Sequence, residues 1–324
     1  MCRHSRERQL PACAKHKQTF IDDEAVFLFN VIMQFESLKV FCDLAETKSF
    51  TKAAQINGVT QSAVSQTIST LERQFKSLLI ERSKRNFRLT AEGEVFYDYS
   101  KRILLSYEAM RSTMQDVQGV LAGNIHVATV YSIGLYDLPP YVKRFLNDYP
   151  TVNVQVQYRR ANQVYADVLG HVVDLGLVAF PARDARLETV PFRYDRLVLA
   201  CPPQHSLAKL KTIKFRALDG QKMVGFEPDI PTRKALDQIL KEQGVKVEYV
   251  TQFDNIETVK RAVEIGSGVA LLPEETIRAE VANQTLAAVH LEGNYSRPLA
   301  VIYKKHKVLS PAMKKFIELL KKPL

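Results

Sequence analysis

The 324-residue sequence has few of the features that mark secreted, disulfide-linked or membrane-spanning proteins. Its only cysteines are Cys2, Cys13, Cys42 and Cys201. They are scattered without a framework spacing, which is typical of a reducing compartment. Cys2, His4, Cys13 and His16 do not match the spacing of a closed zinc site, so no metal is predicted. Since no apolar run reaches membrane-span length and no signal peptide is recognisable, we expect a cytoplasmic protein without a membrane partner.

The sequence also lacks a recognisable catalytic constellation. No glycine-rich segment matches the phosphate-binding P-loop, and Gly266-Ser267-Gly268 is only a weak match to such patterns. Nothing in the sequence positions a serine, a histidine and an aspartate for nucleophilic catalysis. We therefore predict a protein that is not an enzyme and that binds no cofactor.

What the sequence has in excess is positive charge, with a formal net charge of +10 at pH 7. A surplus of this size indicates an anionic partner such as nucleic acid, or else surface decoration. The length suits two or three compact units. Residues 1–32 show little apolar periodicity, and we expect them to be a disordered extension or to precede a true start at Met33.

Two short helices joined by a glycine-containing turn are predicted within residues 33–90, at about 50–69. Ser49 stands at the N-cap position of the first helix and Thr60 at that of the second. Asn57-Gly58 ends the first helix. Such a pair of helices is the helix-turn-helix unit.

The second helix is predicted to run from Gln61 to about Phe75 and to bury Val64, Ile68 and Leu71. The polar residues at its start and on its opposite face suit DNA recognition, because glutamine pairs with adenine edges and serine bonds bases or phosphates. These candidates are Thr60, Gln61, Ser62, Ser65, Gln66 and Ser69. Taken alone, the same face could be a solvated helix surface.

Two short strand-like runs on either side of a basic turn come next, and they predict a β-hairpin wing. The cations of this wing can neutralise DNA phosphates without reading the base sequence. They are Arg82, Lys84, Arg85 and Arg88.

A long helix capped by Thr90 is predicted at 91–122. Its apolar residues recur close to a heptad spacing, which favours a coiled-coil dimer over a helix packed on its own domain. They are Phe96, Tyr99, Ile103, Tyr107, Met110, Met114, Val117 and Leu121.

After residue 122, strand-like runs alternate with helical stretches to the end of the chain. This alternation predicts α/β layers with largely parallel sheets. The predicted helices lie at 138–148, 161–169, 232–243, 256–264 and 311–320.

These features resemble the LysR-type transcriptional regulators over about residues 33–324. The N-terminal part of the resemblance is carried by Leu38-Lys39-Val40-Phe41, Ser49-Phe50-Thr51-Lys52-Ala53-Ala54, Gln61-Ser62-Ala63-Val64-Ser65-Gln66-Thr67-Ile68, Leu71-Glu72, Glu81-Arg82 and Leu89-Thr90-Ala91-Glu92-Gly93. The C-terminal part is carried by Leu138-Pro139, Phe145, Tyr149-Pro150, Asp174-Leu175-Gly176-Leu177, His205-Ser206-Leu207-Ala208 and Gly266-Ser267-Gly268-Val269-Ala270-Leu271-Leu272-Pro273. The family usually has glycine near the end of the recognition helix and phenylalanine in the next strand, where this sequence has Lys76 and Ile80.

The resemblance implies an α + α/β fold in which a winged helix-turn-helix at 33–90 is followed by a linker and dimerisation helix at 91–122. A C-terminal two-lobed sensor domain, like the periplasmic binding proteins, would follow. Lobe I would comprise 123–192 plus 293–324, and lobe II 193–292. The implied function is sequence-specific binding of double-stranded promoter or operator DNA by a homodimer or homotetramer, modulated by a small-molecule effector between the lobes.

Three turns before predicted helices would lie at the rim of that cleft, where helix N-termini favour anions. The candidate effector contacts are Tyr131, Ser132, Thr232, Arg233 and Asn255. Because the guanidinium fork of Arg233 suits a carboxylate or phosphate, we expect an anionic effector. Helix capping is the alternative role of Ser132, Thr232 and Asn255, and a surface position is that of Arg233. A two-lobed solute-binding protein without a transcriptional role is the alternative function. An enzyme with an appended DNA-binding domain is a third option, which would require an acid/base cluster in the cleft.

Overall fold

The structure, a computed structural model, describes residues 35–82, 87–118 and 120–322. The chain divides into two compact units, one up to Leu105 and one from Ser106. We call them the winged unit and the sensor unit. The predicted extension 1–32 and Met33 lie outside the described residues.

The winged unit begins with three helices joined by short turns. They are α1 (residues 35–47), α2 (Phe50–Asn57) and α3 (Gln61–Phe75). Both predicted N-caps are confirmed, because Ser49 Oγ accepts from Lys52 N at 3.3 Å and Thr60 Oγ1 accepts from Ala63 N at 3.2 Å. Between α2 and α3 the chain turns at Gly58, whose φ of 64° is a left-handed conformation that favours glycine.

The predicted wing is confirmed as an antiparallel hairpin of β1 (Ile80–Arg82) and β2 (Phe87–Leu89). The carboxylate of Glu72, 7% exposed on α3, accepts from Leu79 N at 3.0 Å and Ile80 N at 3.4 Å. This buried acceptor ties the entry of the hairpin to the third helix. The core beneath it contains Phe41, Leu44, Ala53, Ala54, Val64, Ile68, Leu71, Leu79 and Ile80.

The long helix α4 (Ala91–Val117) starts in direct contact with the hairpin backbone. Thr90 Oγ1 caps it by accepting from Gly93 N at 2.9 Å. A Cβ at Gly93 would lie 2.0 Å from the carbonyl oxygen of Leu79, so only glycine allows this close approach. With 27 residues the helix is about 40 Å long.

Helix α4 ends at Val117, so the predicted span of 91–122 is too long. Leu121 lies beyond the end of the helix and packs, partly buried, against the core of the sensor unit. Its carbonyl oxygen accepts from Thr151 Oγ1 at 2.6 Å. Burial of Leu121 in that core therefore overrides the local apolar periodicity that predicted a longer helix.

The sensor unit alternates strands and helices. Its strands are β3 (Gly123–Thr129), β4 (Val152–Tyr158), β5 (Leu175–Ala179), β6 (Leu187–Cys201), β7 (Thr212–Ile213), β8 (Lys222–Phe226), β9 (Glu248–Phe253), β10 (Ala270–Pro273), β11 (Ala287–Leu291) and β12 (Ser296–Lys304). Its helices are α5 (Pro139–Asp148), α6 (Ala161–Leu169), α7 (Pro231–Glu242), α8 (Ile256–Glu264), α9 (Arg278–Ala282) and α10 (Pro311–Leu320).

Two crossing strands, β6 and β12, connect two lobes. In what we call lobe I, β4, β3 and β5 are parallel and β12 pairs antiparallel with β5. In lobe II, β10 and β11 pair antiparallel with the end of β6, while β8 and β9 form a parallel pair. The expectation of largely parallel sheets is therefore wrong. The two crossing strands run in opposite directions, so each lobe contains antiparallel pairs.

Helices cover both faces of the sheet in each lobe. In lobe I, α5 and α10 pack on one face, where the rings of Phe145 and Phe316 lie 5.0 Å apart, and α6 packs on the other. In lobe II, α7 covers one face and α8 the other. This layering brings the N-termini of α6, α7 and α8 to the space between the lobes.

Candidate DNA-binding and ligand-binding sites

Helix α3 presents a polar face to the surface of the winged unit. Gln61, Ser62, Ser65, Gln66 and Ser69 are all exposed, on the side opposite the buried face of the helix. Apart from a contact of 2.9 Å between the hydroxyls of Thr60 and Ser62, these side chains make no hydrogen bond within the described residues. The hydroxyl of Thr60 itself caps the helix.

Of the predicted wing cations, the structure describes the side chain of Arg88 alone. It is exposed on β2, directly across the hairpin from Glu81. Lys84, Arg85 and the side chain of Arg82 lie outside the described residues.

An apolar stripe runs along the exposed side of α4. Its members are 40–82% exposed, and they are Tyr99, Ile103, Tyr107, Met110, Met114 and Val117. The stripe begins beside an apolar groove of about 770 Å³ in the winged unit, lined by residues that include Leu38, Phe75 and Val95. Phe96 packs inside the winged unit instead, with its ring 4.9 Å from the rings of Phe41 and Phe75.

The cleft between the lobes of the sensor unit brings together four of the five predicted effector contacts. Tyr131 and Ser132 line it from lobe I, and Thr232 and Asn255 line it from lobe II. The cavity holds only about 60 Å³. A drug-sized ligand needs at least about 300 Å³, so in this arrangement the cleft has room for a small ion.

Three helix N-termini converge on this cavity. Residues 160–161 begin α6, residues 231–232 begin α7 and residues 255–256 begin α8. The first-turn N–H groups of a helix have no acceptor within the helix, and the helix dipole adds positive potential there. The arrangement therefore favours an anion.

Ser132 is held from behind by a buried guanidinium. Arg297, 2% exposed on β12, donates from Nη1 to Ser132 Oγ at 2.8 Å. Its Nη2 and Nε lie 2.5 Å and 3.2 Å from Asp195 Oδ2 on β6. The hydroxyl that faces the cleft is thus positioned by the two crossing strands.

A second buried carboxyl lies beside this pair. Asp137 is 1% exposed, and neither of its oxygens has a hydrogen-bond partner among the described residues. Burial and the neighbouring carboxylate of Asp195 raise the pKa of Asp137 from 3.8 to about 7, although Arg297 and Arg193 oppose the shift. At this junction of the lobes, a carboxyl therefore titrates near neutral pH.

The fifth predicted contact, Arg233, faces away from the cavity. Its Nε donates to Asp237 at 2.8 Å, and its Nη1 donates to Phe226 O at 2.7 Å and Gln252 Oε1 at 2.9 Å. Its guanidinium carbon also lies 3.5 Å from the ring centroid of Tyr249. These partners occupy the guanidinium nitrogens that we expected to bind an anion. Arg233 therefore holds α7, β8 and β9 together instead of contacting the cleft.

The remaining candidates differ in how their side chains are engaged. Asn255 Oδ1 caps α8 by accepting from Thr258 N at 3.1 Å, the alternative role considered for it. Thr232 is 6% exposed in the first turn of α7 and caps nothing. Tyr131 is 41% exposed and stacks on Tyr158 with ring centroids 5.5 Å apart.

Sequence reasoning missed three arginines that line the cavity, Arg159, Arg160 and Arg297. The first two form an Arg-Arg pair at the turn between β4 and α6, and that local pattern was available as a signal. Arg297 carries no such signal, because its partners Ser132 and Asp195 are 165 and 102 residues away in the chain.

Polar contacts also hold the lobes together. At the cleft mouth Arg160 of lobe I forms an ion pair with Glu227 of lobe II, and its Nη2 lies 3.9 Å from Asp229. On another side Tyr136 OH of lobe I donates to Glu257 Oε1 at 2.5 Å and contacts the ammonium of Lys260. Opening the cleft requires these bonds to break.

The two cysteines that the structure describes are poor nucleophiles. Burial raises the pKa of Cys42 to about 12 and that of Cys201 to about 11. Both thiols are therefore protonated at neutral pH. In the described ranges no group of histidine, cysteine or acidic residues could hold a metal ion, and no described helix is long and apolar enough to cross a membrane.

Two family models match the chain. Residues 35–94 match the model described as bacterial regulatory helix-turn-helix protein, lysR family. Residues 118–323 match the model described as LysR substrate binding domain. The two matches together cover most of the chain.

Curated proteins of similar sequence include two bacterial regulators. The HTH-type transcriptional regulator CysL of Bacillus subtilis is 30% identical over 273 residues, which cover 84% of this chain and 91% of CysL. The HTH-type transcriptional activator CmpR of Synechocystis is 29% identical, over 89% of this chain and 93% of CmpR.

Solved structures of similar fold include two full-length regulators. A full-length OxyR from Pseudomonas aeruginosa has a TM-score of 0.72 at 21% identity, over 89% of this chain and 93% of that chain. Full-length CbnR in complex with its target DNA has a TM-score of 0.61 at 22% identity, over 89% of this chain and 98% of that chain. At these identities the likeness shows the fold alone.

Proposed function

The chain belongs to the LysR family of transcriptional regulators and is a DNA-binding regulator with an effector-binding domain, and we propose which of its residues perform each task. The exposed polar face of α3 reads base edges in double-stranded promoter DNA. The wing supplies charge to the phosphates. The cleft between the lobes binds the effector.

The observation that carries the DNA-reading role is the exposure of Gln61, Ser65, Gln66 and Ser69 without a hydrogen-bond partner in the described chain. A polar helix face inserted in the major groove exchanges water for base edges without breaking a protein contact. Thr60 caps this helix, and the carboxylate of Glu72 joins it to the backbone at the start of the hairpin. A preorganised reading helix loses little conformational freedom on binding.

The test uses an operator selected by the protein from a random-sequence DNA pool. Gln61→Ala should weaken its binding by about 5- to 150-fold, which corresponds to the roughly 1–3 kcal/mol of one bidentate contact, and should leave random DNA unaffected. Gln55→Ala, an exposed position on α2, is the matched control and should change neither affinity. Equal losses on operator and random DNA would contradict base reading by Gln61.

We infer that the effector is anionic, although Arg233 does not hold it. Three helix N-termini face the cavity together with the guanidinium of Arg160. An anion that takes over Arg160 from Glu227 would break the ion pair across the cleft mouth. Because the present cavity is small, any larger anion stabilises a wider arrangement of the lobes, and this difference in affinity drives the switch.

A thermal-shift screen of the full chain with inorganic phosphate, sulfate and small carboxylates, at matched ionic strength, tests this inference. For a ligand that raises the melting temperature, Arg160→Gln should weaken affinity by about ten- to a hundredfold, the loss of one charge-assisted bond. Arg261→Gln, which removes an exposed arginine of α8, is the control and should bind as the parent does. Absence of stabilisation by every anion in the screen, or equal affinity of the parent and Arg160→Gln for the stabilising anion, would contradict the anionic assignment.

We propose that the chain forms a homodimer through the stripe on α4. The stripe exposes six large apolar side chains at near-heptad spacing, and monomeric proteins rarely leave such a surface uncovered. Met110→Lys with Val117→Lys should dissociate the dimer in sedimentation experiments. Gln115→Lys with Asp116→Asn changes the net charge by the same amount at exposed positions of α4 away from the stripe and should leave the dimer intact. A dimer of undiminished strength in the first variant would reject the interface.

A further inference from the structure

The surplus positive charge of the sensor unit lies entirely at its C-terminal end. Residues 106–303 carry 22 lysines and arginines and 22 aspartates and glutamates, so they are balanced. Residues 304–324 carry seven lysines and one acidic residue, Glu318. The net charge of +6 of this unit is therefore concentrated in 21 residues.

Two of the seven lysines are used within lobe I. Lys304 Nζ lies 2.8 Å from His171 Nε2, and Lys307 Nζ donates to Asp174 Oδ1 at 2.8 Å. Five others are exposed and form no ion pair with a described residue, and they are Lys305, Lys314, Lys315, Lys321 and Lys322. Stabilisation of the lobe therefore accounts for only two of the seven charges.

Four of the exposed lysines lie on or just after α10, whose apolar side is buried against lobe I. Helix α5 packs beside it through Phe145 and Phe316, and Tyr141 OH donates to Lys322 O at 3.2 Å. Helix α5 adds two more exposed cations, Lys143 and Arg144. We call this surface the α5/α10 basic face, and its cations are Lys143, Arg144, Lys314, Lys315, Lys321 and Lys322.

The composition of this face indicates the kind of partner. No large apolar side chain is exposed on α5 or α10, whereas protein interfaces are built around an apolar and aromatic centre and are depleted in lysine. The helix dipole explains cations at the end of α10, such as Lys321, but not Lys314 and Lys315 in its first half. Clustered lysines without apolar neighbours are suited to phosphates, which they bind as point charges.

We propose that the α5/α10 basic face binds the phosphate backbone of double-stranded DNA, as a second and sequence-independent contact in addition to that of the winged unit. The proposal rests on the DNA binding of the family and extends it to a surface of the sensor unit. Each lysine that neutralises a phosphate releases counterions, so the contact adds to the salt dependence of binding and adds no base preference.

The test compares two variants of the full chain that lose equal charge. The face variant changes Lys314, Lys315, Lys321 and Lys322 to glutamine. The control variant makes the same change at four exposed lysines of lobe II, Lys209, Lys211, Lys241 and Lys246. Affinity for a random-sequence duplex of about 60 base pairs is measured at several salt concentrations. The slope of log affinity against log salt concentration changes by about 1 for each phosphate contact.

The face variant should lower the slope by up to about 4 for each chain bound, and the control variant should leave it unchanged. Replacing the same four residues with arginine should restore the parental slope. Equal slopes in the two glutamine variants overturn the proposal, whether both fall through a general charge effect or neither changes. Parental slopes together with lost transcriptional activation would assign the face to an acidic protein and also overturn it.

Melting temperatures check that the glutamine variants fold. Operator preference over random DNA separates this proposal from the function of α3. It should persist in the face variant and disappear when the polar face of α3 is removed. A chain without any operator preference would contradict the role of α3, whereas an unchanged salt slope would contradict only the role of the basic face.

Discussion

The polar groups at the two functional surfaces of the chain are held in opposite ways. On α3 of the winged unit, Gln61, Ser65 and Gln66 are exposed and have no hydrogen-bond partner within the described residues. In the cleft of the sensor unit, Ser132 is buried against Arg297, and Arg160 is paired with Glu227. The DNA-reading surface is ready for its partner, whereas a cleft ligand must compete with bonds that already exist.

This difference indicates how the two units divide their work. Side chains that form no hydrogen bond within the protein, such as those of the polar face of α3, can be replaced without loss of stability. Their replacement affects only contacts with DNA. A cleft built from buried charges couples ligand binding to stability and to the arrangement of the lobes. Substitutions should therefore separate into those that alter affinity alone and those that alter the sensor unit itself.

The largest effect is expected at Arg297, the buried cation between the lobes. Arg297→Ala leaves the carboxylate of Asp195 without its buried countercharge, and breaking such a pair typically lowers the free energy of unfolding by about 3–5 kcal/mol. Urea denaturation of the full chain measures the loss. Arg196→Ala, an exposed position on the same crossing strand, should change stability by less than about 0.5 kcal/mol. If Arg297→Ala were as stable as the parent, the cleft would not depend on buried charges for its stability, and the two functional surfaces would not differ in this way.

A smaller, pH-dependent effect is expected at Asp137. Because its pKa in the folded chain is about 7 and that of the unfolded chain is near 3.8, the folded state holds an extra proton between these values. The contribution of Asp137 to the stability of the parent therefore falls as the pH rises from about 4 to 7. Asp137→Asn, which stays neutral, should melt at a higher temperature than the parent at pH 8.5 and at the same temperature at pH 5.5.

The groups that face Asp137 are Asp195 and Arg193 from β6 and Arg297 from β12. The exposed Asp148 of α5 provides a control, since Asp148→Asn should shift the melting temperature equally at both pH values. A pH-independent difference between the parent and Asp137→Asn would show that the carboxyl does not titrate in this range.

The smallest effect is expected in the winged unit, at the end of α3. Lys76 caps the helix with a φ of 51°, a left-handed conformation that costs a residue other than glycine about 1–2 kcal/mol. Lys76→Gly removes this strain, while the greater freedom of glycine in the unfolded chain offsets part of the gain. A net stabilisation of up to about 1 kcal/mol should appear in urea denaturation. Lys52→Gly, inside α2, should instead destabilise by about 1 kcal/mol.

Local patterns in the sequence were sufficient for the winged unit. The caps at Ser49 and Thr60, the turn at Gly58 and the hairpin depend on residues within a few positions of one another, so they could be predicted. In the sensor unit, three of the predicted helices, α6, α8 and α10, have the predicted bounds. Each has a local apolar period, and α8 and α10 also begin at a capping residue, Asn255 and Ser310.

The cleft depended on contacts that no local pattern records. The first ten residues of β6 show no continuous apolar run that would predict a strand, because polar residues of the lobe junction, among them Arg193 and Asp195, interrupt it. Arg160 and Glu227, which form an ion pair, are 67 residues apart in the sequence. The wrong prediction that Arg233 contacts the effector could in part have been avoided. Asp237 lies four residues later on the same helix, a spacing at which an arginine and an aspartate form an ion pair.

The division of work between the units is tested most directly by operator affinity without effector. Two double variants are compared with the parent by fluorescence anisotropy, Ser65→Ala/Gln66→Ala on α3 and Ser132→Ala/Thr232→Val in the cleft. The first should lose at least tenfold in operator affinity and keep its affinity for random DNA. The second should bind the operator as the parent does and lose its response to the anion found in the thermal-shift screen. Loss of unliganded operator binding in the cleft variant, with full binding in the α3 variant, would contradict this account.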